Sequence, residues 1–256
     1  MAHWFIIGAG YTGRRLVTRL RAEGEEVTAT TRHGGDETVA LDLSRPETVR
    51  VPEDAIVVCL APPGDDPAGE IALLAKAKRL VYVSSTGVYA PAQGDWVDET
   101  WPCEPVTKLG RARVIAEAAL PPGAISLRVA GIHGPGRGLV DRIRAGNYRI
   151  LGDGSAHVSR IHVDDLVEAI VRAGRSNVSG PVNVADDDPA PIGEVADAIA
   201  AKLGVAPPKR LDPSTVDPEV AGMLVADRRI ANGRLKRELG VTLRYPSWRD
   251  APLTAG

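Results

Sequence analysis

The amino-acid sequence predicts an α/β fold built on a doubly wound parallel sheet. Short apolar segments alternate with helical patterns along most of the chain, which is typical of parallel strands joined by right-handed crossovers. The 256 residues include a single Phe, so the core must consist of Val, Ile, Leu and Ala, which suit buried parallel strands. After Gly131 glycine becomes frequent, which indicates loops over one edge of the sheet.

Each element follows from apolar spacing and from residues that start or stop helices. We predict strands at residues 5–7, 26–31, 39–43, 55–61, 80–84, 124–129, 148–151 and 182–184. We predict helices at residues 14–20, 67–78, 106–120, 164–173, 192–203 and 231–239, and a brief helix after Ser44. The gap between the second and third strands is too short for a crossover helix. Either that helix is missing or the third strand is a short edge strand.

Three glycines follow the first apolar segment at the spacing of a dinucleotide-binding loop. Gly8 permits a tight turn, Gly10 lets the backbone approach a pyrophosphate, and Gly13 lets the following helix pack closely on the strand. The start of that helix adds unpaired N–H groups and a partial positive charge. The alternative is a glycine turn in another kind of α/β unit.

Composition and charge exclude several classes of partner. The formal net charge is −2, from 31 basic and 33 acidic residues, which gives no reason to expect nucleic acid or an anionic membrane. No apolar run approaches the ~18 residues of a membrane-spanning helix, and the N-terminus lacks signal-peptide features. Cys59 and Cys103 are too few for a metal motif or a disulfide framework. We expect a cytoplasmic protein, monomeric or homodimeric, with a small-molecule substrate and no metal.

Four segments, in this order and spacing, resemble the extended and atypical short-chain dehydrogenase/reductases, the group that contains nucleotide-sugar epimerases and dehydratases. They are residues 8–13 (GAGYTG), 83–89 (VSSTGVY), 127–136 (LRVAGIHGPG) and 160–166 (RIHVDDL). The resemblance implies a Rossmann-type sheet with a small discontinuous C-terminal substrate domain and a nicotinamide cofactor at the carboxyl ends of the strands. It implies dinucleotide-binding parts at residues 1–136 and 157–190 and substrate-binding parts at residues 137–156 and 191–256.

Charges around the second strand favour NADP over NAD. NAD-binding proteins usually carry an acidic residue near the end of this strand, whereas this chain has Thr31 and Arg32 there and no carboxylate before Asp36. Arg32, together with Arg14, can pair with a 2′-phosphate; otherwise Arg32 is a solvated surface arginine. We also assign cofactor contacts to Tyr11, Thr12, Asp42, Leu43, Leu60, Ala61, Pro62, Ser84, Arg113 and Ala130, with Asp42 and Leu43 resembling the family's adenine-contacting pair.

The acid–base pair that is usual in this family is absent. The family places a Ser or Thr after the fifth strand, and Ser85, with Thr86 beside it, fills that position. The family also uses a Tyr as acid or base and a Lys four residues later that lowers the tyrosine pKa. The register of residues 111–117 puts Leu109 and Arg113 at these two positions. Leucine transfers no proton, whereas arginine stays charged and can still hold a ribose or a phosphate.

Three functions remain open. The first is an NADP-dependent oxidoreductase or epimerase that uses Ser85 with Tyr89, His133 or His162 as a non-standard acid or base. His133 stands where the family usually has Tyr, and imidazole titrates near neutral pH. The plainer alternatives are a loop residue for His133 and a buried hydrogen-bonding residue for His162. The second function is a catalytically weak NADP-binding sensor or regulator, and the third is a cofactor-assisted isomerase or lyase.

Arginines are frequent after Gly136, at positions 137, 142, 144, 149 and 160. If several face the cleft, an anionic substrate such as a phosphate or carboxylate fits; otherwise they form a solvated basic face. We predict substrate contacts at Ser85, Thr86, Leu109, His133, Arg137 and Arg160. Trp96 and Trp101 either wall the pocket or pack a long loop.

Overall fold

The computed structural model describes residues 1–217, 221 and 226–251. The strands are β1 (His3–Ile7), β2 (Glu26–Thr31), β3 (Val39–Ala40), β4 (Ile56–Cys59), β5 (Arg79–Ser85), β6 (Trp96–Val97), β7 (Ile125–Val129), β8 (Gly131–His133), β9 (Arg149–Leu151), β10 (His157–Val158), β11 (Arg160–His162), β12 (Gly180–Val184), β13 (Ala190–Pro191), β14 (Lys209–Leu211) and β15 (Arg229–Ile230). The helices are α1 (Tyr11–Ala22), α2 (Pro67–Ala72), α3 (Lys108–Ala118), α4 (Leu139–Arg144), α5 (Val163–Arg175), α6 (Ile192–Leu203) and α7 (Gly233–Leu239).

Seven strands form one parallel sheet in the order β12-β7-β5-β4-β1-β2-β3, which confirms the predicted doubly wound α/β fold. Strand β1 lies between β2 and β4 and runs parallel to both. The order of the strands therefore reverses at β1. In such sheets ligands bind at the carboxyl ends of the strands beside this point of reversal. The glycine loop after β1 lies at that edge.

The third strand has two residues and lies at the edge of the sheet, where it pairs with Thr30 and Thr31. Residues 32–38 contain no helix. The crossover helix between the second and third strands is therefore missing, and the third strand is also a short edge strand. An edge strand can be this short because it has hydrogen-bonding partners on one side alone.

Several helix boundaries differ from the sequence predictions, and two of the differences have local reasons. Helix α2 ends at Ala72, and hydrogen bonds of the i→i+3 type carry the chain on through residues 73–77 as a tighter turn. Helix α3 begins at Lys108 because the hydroxyl of Thr107 accepts a hydrogen bond from the Gly110 N–H at 3.1 Å.

Helices cover both faces of the central sheet. α1, α5 and α7 pack on one face, where Leu16, Ile170 and Leu235 are buried. α2 and α3 pack on the other face through Ile71 and Ala116. Burial of each large aliphatic side chain contributes about 1.5–3 kcal/mol, so these two layers fix the sheet edge that carries the glycine loop. No helix in the described part of the chain is long and apolar enough to cross a membrane.

A smaller core forms around Ile143, Ile150, Val195 and Trp248, from α4, β9, α6 and the C-terminal region. The prediction of loops over residues 139–144 was wrong, because a six-residue helix is too short to show an apolar period. This core draws on both predicted substrate-binding parts, whose limits stay a prediction. Within the second part, residues 218–220, 222–225 and 252–256 lie outside the described residues.

Candidate cofactor and substrate site

The three glycines after β1 have three different surroundings. Gly8 has a φ of +93°, and a Cβ there would lie 3.0 Å from the backbone nitrogen of Ala61. A Cβ on Gly13 would lie 2.6 Å from the carbonyl oxygen of Gly8. At Gly10 a Cβ would meet no described atom within 4 Å. The fold thus requires Gly8 and Gly13, whereas Gly10 leaves open space beside the start of α1.

No side chain of the described residues caps the start of α1, so its first N–H groups can bind an anion. Tyr11 reaches from this turn to the loop after β8, where its hydroxyl donates to the carbonyl of Pro135 at 3.0 Å. The guanidinium carbons of Arg15 and Arg137 lie 4.0 Å and 5.3 Å from the centre of its ring. Tyr11 therefore links the glycine turn to the substrate side of the cleft, and Thr12 beside it is buried.

The end of β2 presents an arginine to solvent. The side chain of Arg32 is 70% exposed, and its Nε lies 3.8 Å from Oδ2 of Asp42. Hydrogen bonds from Ser44 hold the pKa of Asp42 below its usual range. Thr31 does not face outward in the same way, since its hydroxyl donates to a backbone carbonyl of the β2–β3 turn at 3.2 Å. Arg14, at the start of α1, is exposed.

The remaining predicted cofactor residues differ in how accessible they are. Ser84 is 3% exposed, and its Oγ has no hydrogen-bond partner among the described residues, so its side chain is poorly placed to contact a ligand. The others lie at the carboxyl ends of strands or just after them; Leu43, Leu60 and Ala61 are half-buried, Pro62 is exposed and Ala130 is buried.

A pocket of about 760 Å³ opens at the carboxyl ends of β5 and β7 and extends to the smaller core. It is lined by all six residues predicted to contact the substrate, which are Ser85, Thr86, Leu109, His133, Arg137 and Arg160. β9, β10, β14 and residues 226–230 contribute the far wall. The tertiary structure therefore brings widely separated parts of the sequence together in one pocket.

The pocket retains a hydroxyl but not a tyrosine. Oγ of Ser85 accepts a hydrogen bond from the Gly87 N–H at 3.0 Å, which leaves its own O–H to donate into the pocket. Leu109 is 50% exposed and presents an apolar surface at the tyrosine position. Nη1 of Arg113 donates to the carbonyl of Val83 at 2.9 Å, and its Nε has no partner among the described residues. Arg113 is thus anchored to β5.

The two candidate histidines have different surroundings. Burial, with smaller effects of His162 and Arg160, lowers the pKa of His133 to about 3, so its ring is neutral at neutral pH. It can accept or donate a hydrogen bond but cannot supply a proton as an imidazolium. His162 is 2% exposed, and its Nδ1 accepts from the Asp164 N–H at 3.2 Å. The plainer alternative, a buried hydrogen-bonding residue, therefore fits His162, which caps α5 and does not line the pocket.

Tyr89 is fully buried and does not line the pocket, which contradicts its predicted catalytic role. Its hydroxyl donates to Oδ1 of Asn183 at 2.6 Å, and the guanidinium carbon of Arg128 lies 4.8 Å from its ring centre. Burial raises the pKa of Tyr89 to about 12. The side chain ties the turn after β5 to β12, which is a structural role.

Arg160 is a buried arginine that forms no close ion pair with any described residue, although the charge of the Asp186 carboxylate acts on it. It is 9% exposed, its Nη1 has no hydrogen-bond partner among the described residues, and no described carboxylate lies within ion-pair distance of it. Burial lowers the pKa of Arg160. Burial also raises the pKa of the Asp186 carboxyl to about 7, and the charge of Arg160 opposes this rise. Asp186 is thus a partial counter-ion, and a buried guanidinium in this state would gain from a ligand that supplies negative charge.

Sequence reasoning missed two pocket residues, His157 and Arg228. Nδ1 of His157 lies 2.9 Å from Oδ1 of Asp227, 70 positions away in the chain, and its Nε2 lies 3.0 Å from Nη2 of Arg229. Since arginine can donate but not accept, Nε2 accepts and Nδ1 donates to the carboxylate. Arg228 donates to three carbonyls within residues 86–90. No motif marks these residues, because long-range folding alone brings them together.

The described residues contain no group of three or more His, Cys, Asp or Glu side chains arranged to hold a metal ion. The order of the strands, the glycine turn after β1 and the pocket at the carboxyl ends of the strands define a Rossmann-type nucleotide-binding protein.

The model of the NAD-dependent epimerase/dehydratase family matches residues 68–185. The chain is 30% identical to 3-diazoavenalumate denitrifying reductase from a Streptomyces species, over 94% of this chain and 95% of that protein. It is also 30% identical to protein YeeZ of Escherichia coli, over 97% of this chain and 98% of that protein. The chain therefore belongs to the NAD-dependent epimerase/dehydratase family, as an atypical member of the short-chain dehydrogenase/reductase superfamily.

Solved structures share the fold over nearly the whole chain. A human epimerase family protein determined with NADPH superposes with a TM-score of 0.84 at 22% identity, covering 98% of this chain and 97% of that chain. A functionally unknown conserved protein from Silicibacter pomeroyi superposes with a TM-score of 0.80 at 28% identity, covering 98% and 96%. The likeness to the human protein concerns the fold.

Proposed function

We propose that the protein is an NADP-dependent oxidoreductase, acting as a reductase on a small anionic substrate. The observation that carries this proposal is the meeting of Ser85, Leu109 and Arg160 in one pocket at the carboxyl ends of the strands. These residues provide a hydrogen-bond donor, an apolar surface and an unpaired cation. The name of the Streptomyces relative, a reductase, supports a redox reaction.

The residues at the glycine turn fit a nicotinamide dinucleotide. The open space at Gly10 and the uncapped start of α1 suit the pyrophosphate, and the exposed Arg32 and Arg14 suit a 2′-phosphate. The anchored guanidinium of Arg113 would hold a ribose oxygen. When bound, a reduced nicotinamide supplies a hydride. The NADPH in the human structure of the same fold also favours NADP.

The pocket's charge favours an anion. Among the described lining residues are six arginines and one acidic residue, Asp227, whose carboxylate is already bound to His157. Arg160 would pair with the anionic group, and the O–H of Ser85 would donate to the oxygen or nitrogen that is reduced. Neutral His133 would serve as a hydrogen-bond partner, so we assign it no proton transfer as an imidazolium.

A second candidate function is a catalytically weak NADP-binding regulator. The observation that favours it is Leu109, which puts an apolar side chain where the family has its proton donor. The cofactor turn and Arg113 would then serve for binding alone.

Titration with NADPH and NADH, followed by an oxidation assay on carbonyl- and imine-containing carboxylic acids, tests these proposals. We expect NADPH to bind more tightly than NADH and to be oxidised with at least one substrate. Ser85→Ala should lower kcat, whereas the matched control Ser214→Ala, at an exposed site, should not. Equal or tighter binding of NADH contradicts the NADP assignment. Tight NADPH binding without oxidation on the whole panel favours the regulator.

A further inference from the structure

A small cavity of about 40 Å³ lies beside the main pocket. The two share four lining residues, which are His133, Arg137, Leu139 and Arg160. Trp248, with Val195 and Ile199 of α6, lines the far side of the small cavity. We call this space the side cavity. It lies between the substrate pocket and the smaller core.

Three residues around the side cavity carry buried nitrogens without hydrogen-bond partners among the described residues. They are Nη1 of Arg160, Nε1 of Trp248 and Nε2 of His133. Arg160 is 9% exposed and Trp248 is 6% exposed. An arginine N–H and an indole N–H can donate but cannot accept, so two of the three need an acceptor. Buried polar groups nearly always have a partner, and this concentration of donors points to a bound acceptor.

The charge favours an anion over a water molecule as that acceptor. A water can accept hydrogen bonds from Arg160 and Trp248, but it adds no negative charge to the partial compensation that Asp186 gives the buried guanidinium. Within the described part of the chain, no carboxylate is close enough to Arg160 to form an ion pair. A bound anion would satisfy both donors and neutralise the charge.

The size of the side cavity limits the anion. A cavity needs about 10–15 Å³ to hold one water, so the side cavity of about 40 Å³ has room for a group of a few atoms. A carboxylate matches that size and the planar fork of a guanidinium. Beside its arginines, the wall of the main pocket includes the aliphatic side chains of Leu109, Ile192 and Leu211. Such a wall suits an apolar body attached to the carboxylate.

We propose that the side cavity binds the carboxylate of a carboxylic-acid substrate whose apolar body lies in the main pocket, with Arg160 and Trp248 as the binding residues. This inference rests on the proposed function, because it specifies the substrate of the same site. The same cavity can also take a free small anion. A series of carboxylates with increasing apolar bodies distinguishes a free anion from the carboxylate of a larger substrate.

Calorimetric titration of the full chain without cofactor, using formate, butyrate, benzoate and neutral benzamide, tests the proposal. We expect benzoate and butyrate to bind more tightly than formate, and benzamide at least ~10-fold more weakly than benzoate. Arg160→Met should weaken benzoate about 10- to 100-fold, the loss expected for charge-assisted hydrogen bonds. Trp248→Phe keeps the ring and removes the N–H, so it should weaken benzoate several-fold. Trp96→Phe, at a residue that is 54% exposed, is the matched control and should change nothing.

Thermal unfolding of the same variants separates ligand binding from folding. If Arg160 serves to bind a ligand, the Arg160→Met variant should unfold at the same temperature as the native protein or higher in the absence of anions. The substitution removes a buried charge that has no close ion pair within the described part of the chain. Equal affinity for formate and benzoate would indicate a free-anion site and overturn the proposal. Benzoate binding that Arg160→Met leaves unchanged, or no binding at all, would also overturn it. The benzoate titrations contain no cofactor, so failure of benzoate binding leaves the NADPH titration unaffected. Failure of NADPH binding likewise leaves the benzoate result unaffected.

Discussion

A Cβ on Gly13 would lie 2.6 Å from the carbonyl oxygen of Gly8, whereas a Cβ on Gly10, between them, would meet no described atom within 4 Å. Contact of α1 with the turn therefore depends on Gly13. The space that a ligand needs depends on Gly10. Two glycines of one motif thus serve different purposes, and substitutions can separate them.

Gly13→Ala should destabilise the protein by about 1–3 kcal/mol, the usual cost of overpacking against backbone that cannot yield. Gly10→Ala should leave the free energy of unfolding nearly unchanged but weaken NADPH at least ~10-fold, because the methyl group occupies the ligand's space. Urea unfolding and NADPH titration of both variants check this. A Gly10→Ala protein that binds NADPH normally would contradict the placement of the cofactor.

Arg32→Met should weaken NADPH about 10- to 100-fold and leave NADH unchanged, since NADH lacks the 2′-phosphate that the guanidinium would bind. The pair with Asp42 is long and exposed, so little stability should be lost. Fluorescence titration with both cofactors measures the effect. Arg172→Met, at a distant arginine that pairs with Glu168, is the matched control. Parallel losses for NADPH and NADH would argue against a role in cofactor choice.

Tyr89→Phe should destabilise the protein by about 1–3 kcal/mol, because it leaves the buried Oδ1 of Asn183 without its donor. It should leave the pH profile of kcat unchanged, since the hydroxyl does not reach the pocket. Chemical unfolding and pH-dependent kinetics check the two expectations. Loss of an ionisation from the kinetic profile would restore Tyr89 as a catalytic candidate.

Leu109→Tyr should fold with a free energy of unfolding within about 0.5 kcal/mol of the native protein, because the side chain is half-exposed and leaves no core cavity. The double variant with Arg113→Lys would recreate the family's pair of side chains. We expect its kcat to gain an ionisation that the native protein lacks, seen in the pH profile. An unchanged profile would mean that position 109 does not face the reacting group.

His133→Gln tests the neutral state of this histidine. The folded pKa of about 3 lies below the ordinary value of 6.5, so between these pH values the unfolded chain binds a proton that the folded protein does not. The native protein should therefore lose stability relative to His133→Gln as the pH falls below 6.5, by up to about 1.4 kcal/mol per pH unit. Urea unfolding of both proteins between pH 7 and about pH 5 measures this difference.

The native protein must be compared with the His133→Gln variant, because Asp186 changes the free energy of unfolding with pH in the opposite direction. Its raised pKa of about 7 makes folding more favourable as the pH falls from 7 toward 4. Both proteins contain Asp186, so its effect cancels in the difference. A difference that stays constant with pH would show that His133 binds its proton equally in the folded and unfolded states, which would contradict its neutral state in the folded protein.

The sheet and the glycine turn could be predicted because they rest on local patterns. Apolar runs and glycine spacing lie within short stretches of sequence, and the turn at Gly8 places a Cβ-free residue where the backbone has positive φ. The six residues predicted to contact the substrate line one pocket, and their contact with a substrate stays a prediction. Helix α4 was missed because six residues carry too little periodicity.

The orientation of individual side chains could not be predicted in the same way. Ser85 ends β5 and Tyr89 follows it by four positions, yet Tyr89 enters the core and Ser85 lines the pocket. The turn of residues 86–88 decides this, and Arg228, which donates to the carbonyl of Thr86, helps to hold that turn. Arg228 lies more than a hundred positions away in the chain.

The sequence by itself determined the fold class and the glycine turn, because each depends on residue type at fixed spacing, and the family resemblance predicted Leu109 at the tyrosine position. Tertiary structure alone decided the surroundings of the candidate groups. It buried Tyr89, made His133 neutral by desolvation, and left Arg160 buried without a close ion pair among the described residues. Burial and long-range charge depend on contacts between distant segments, which no local pattern records.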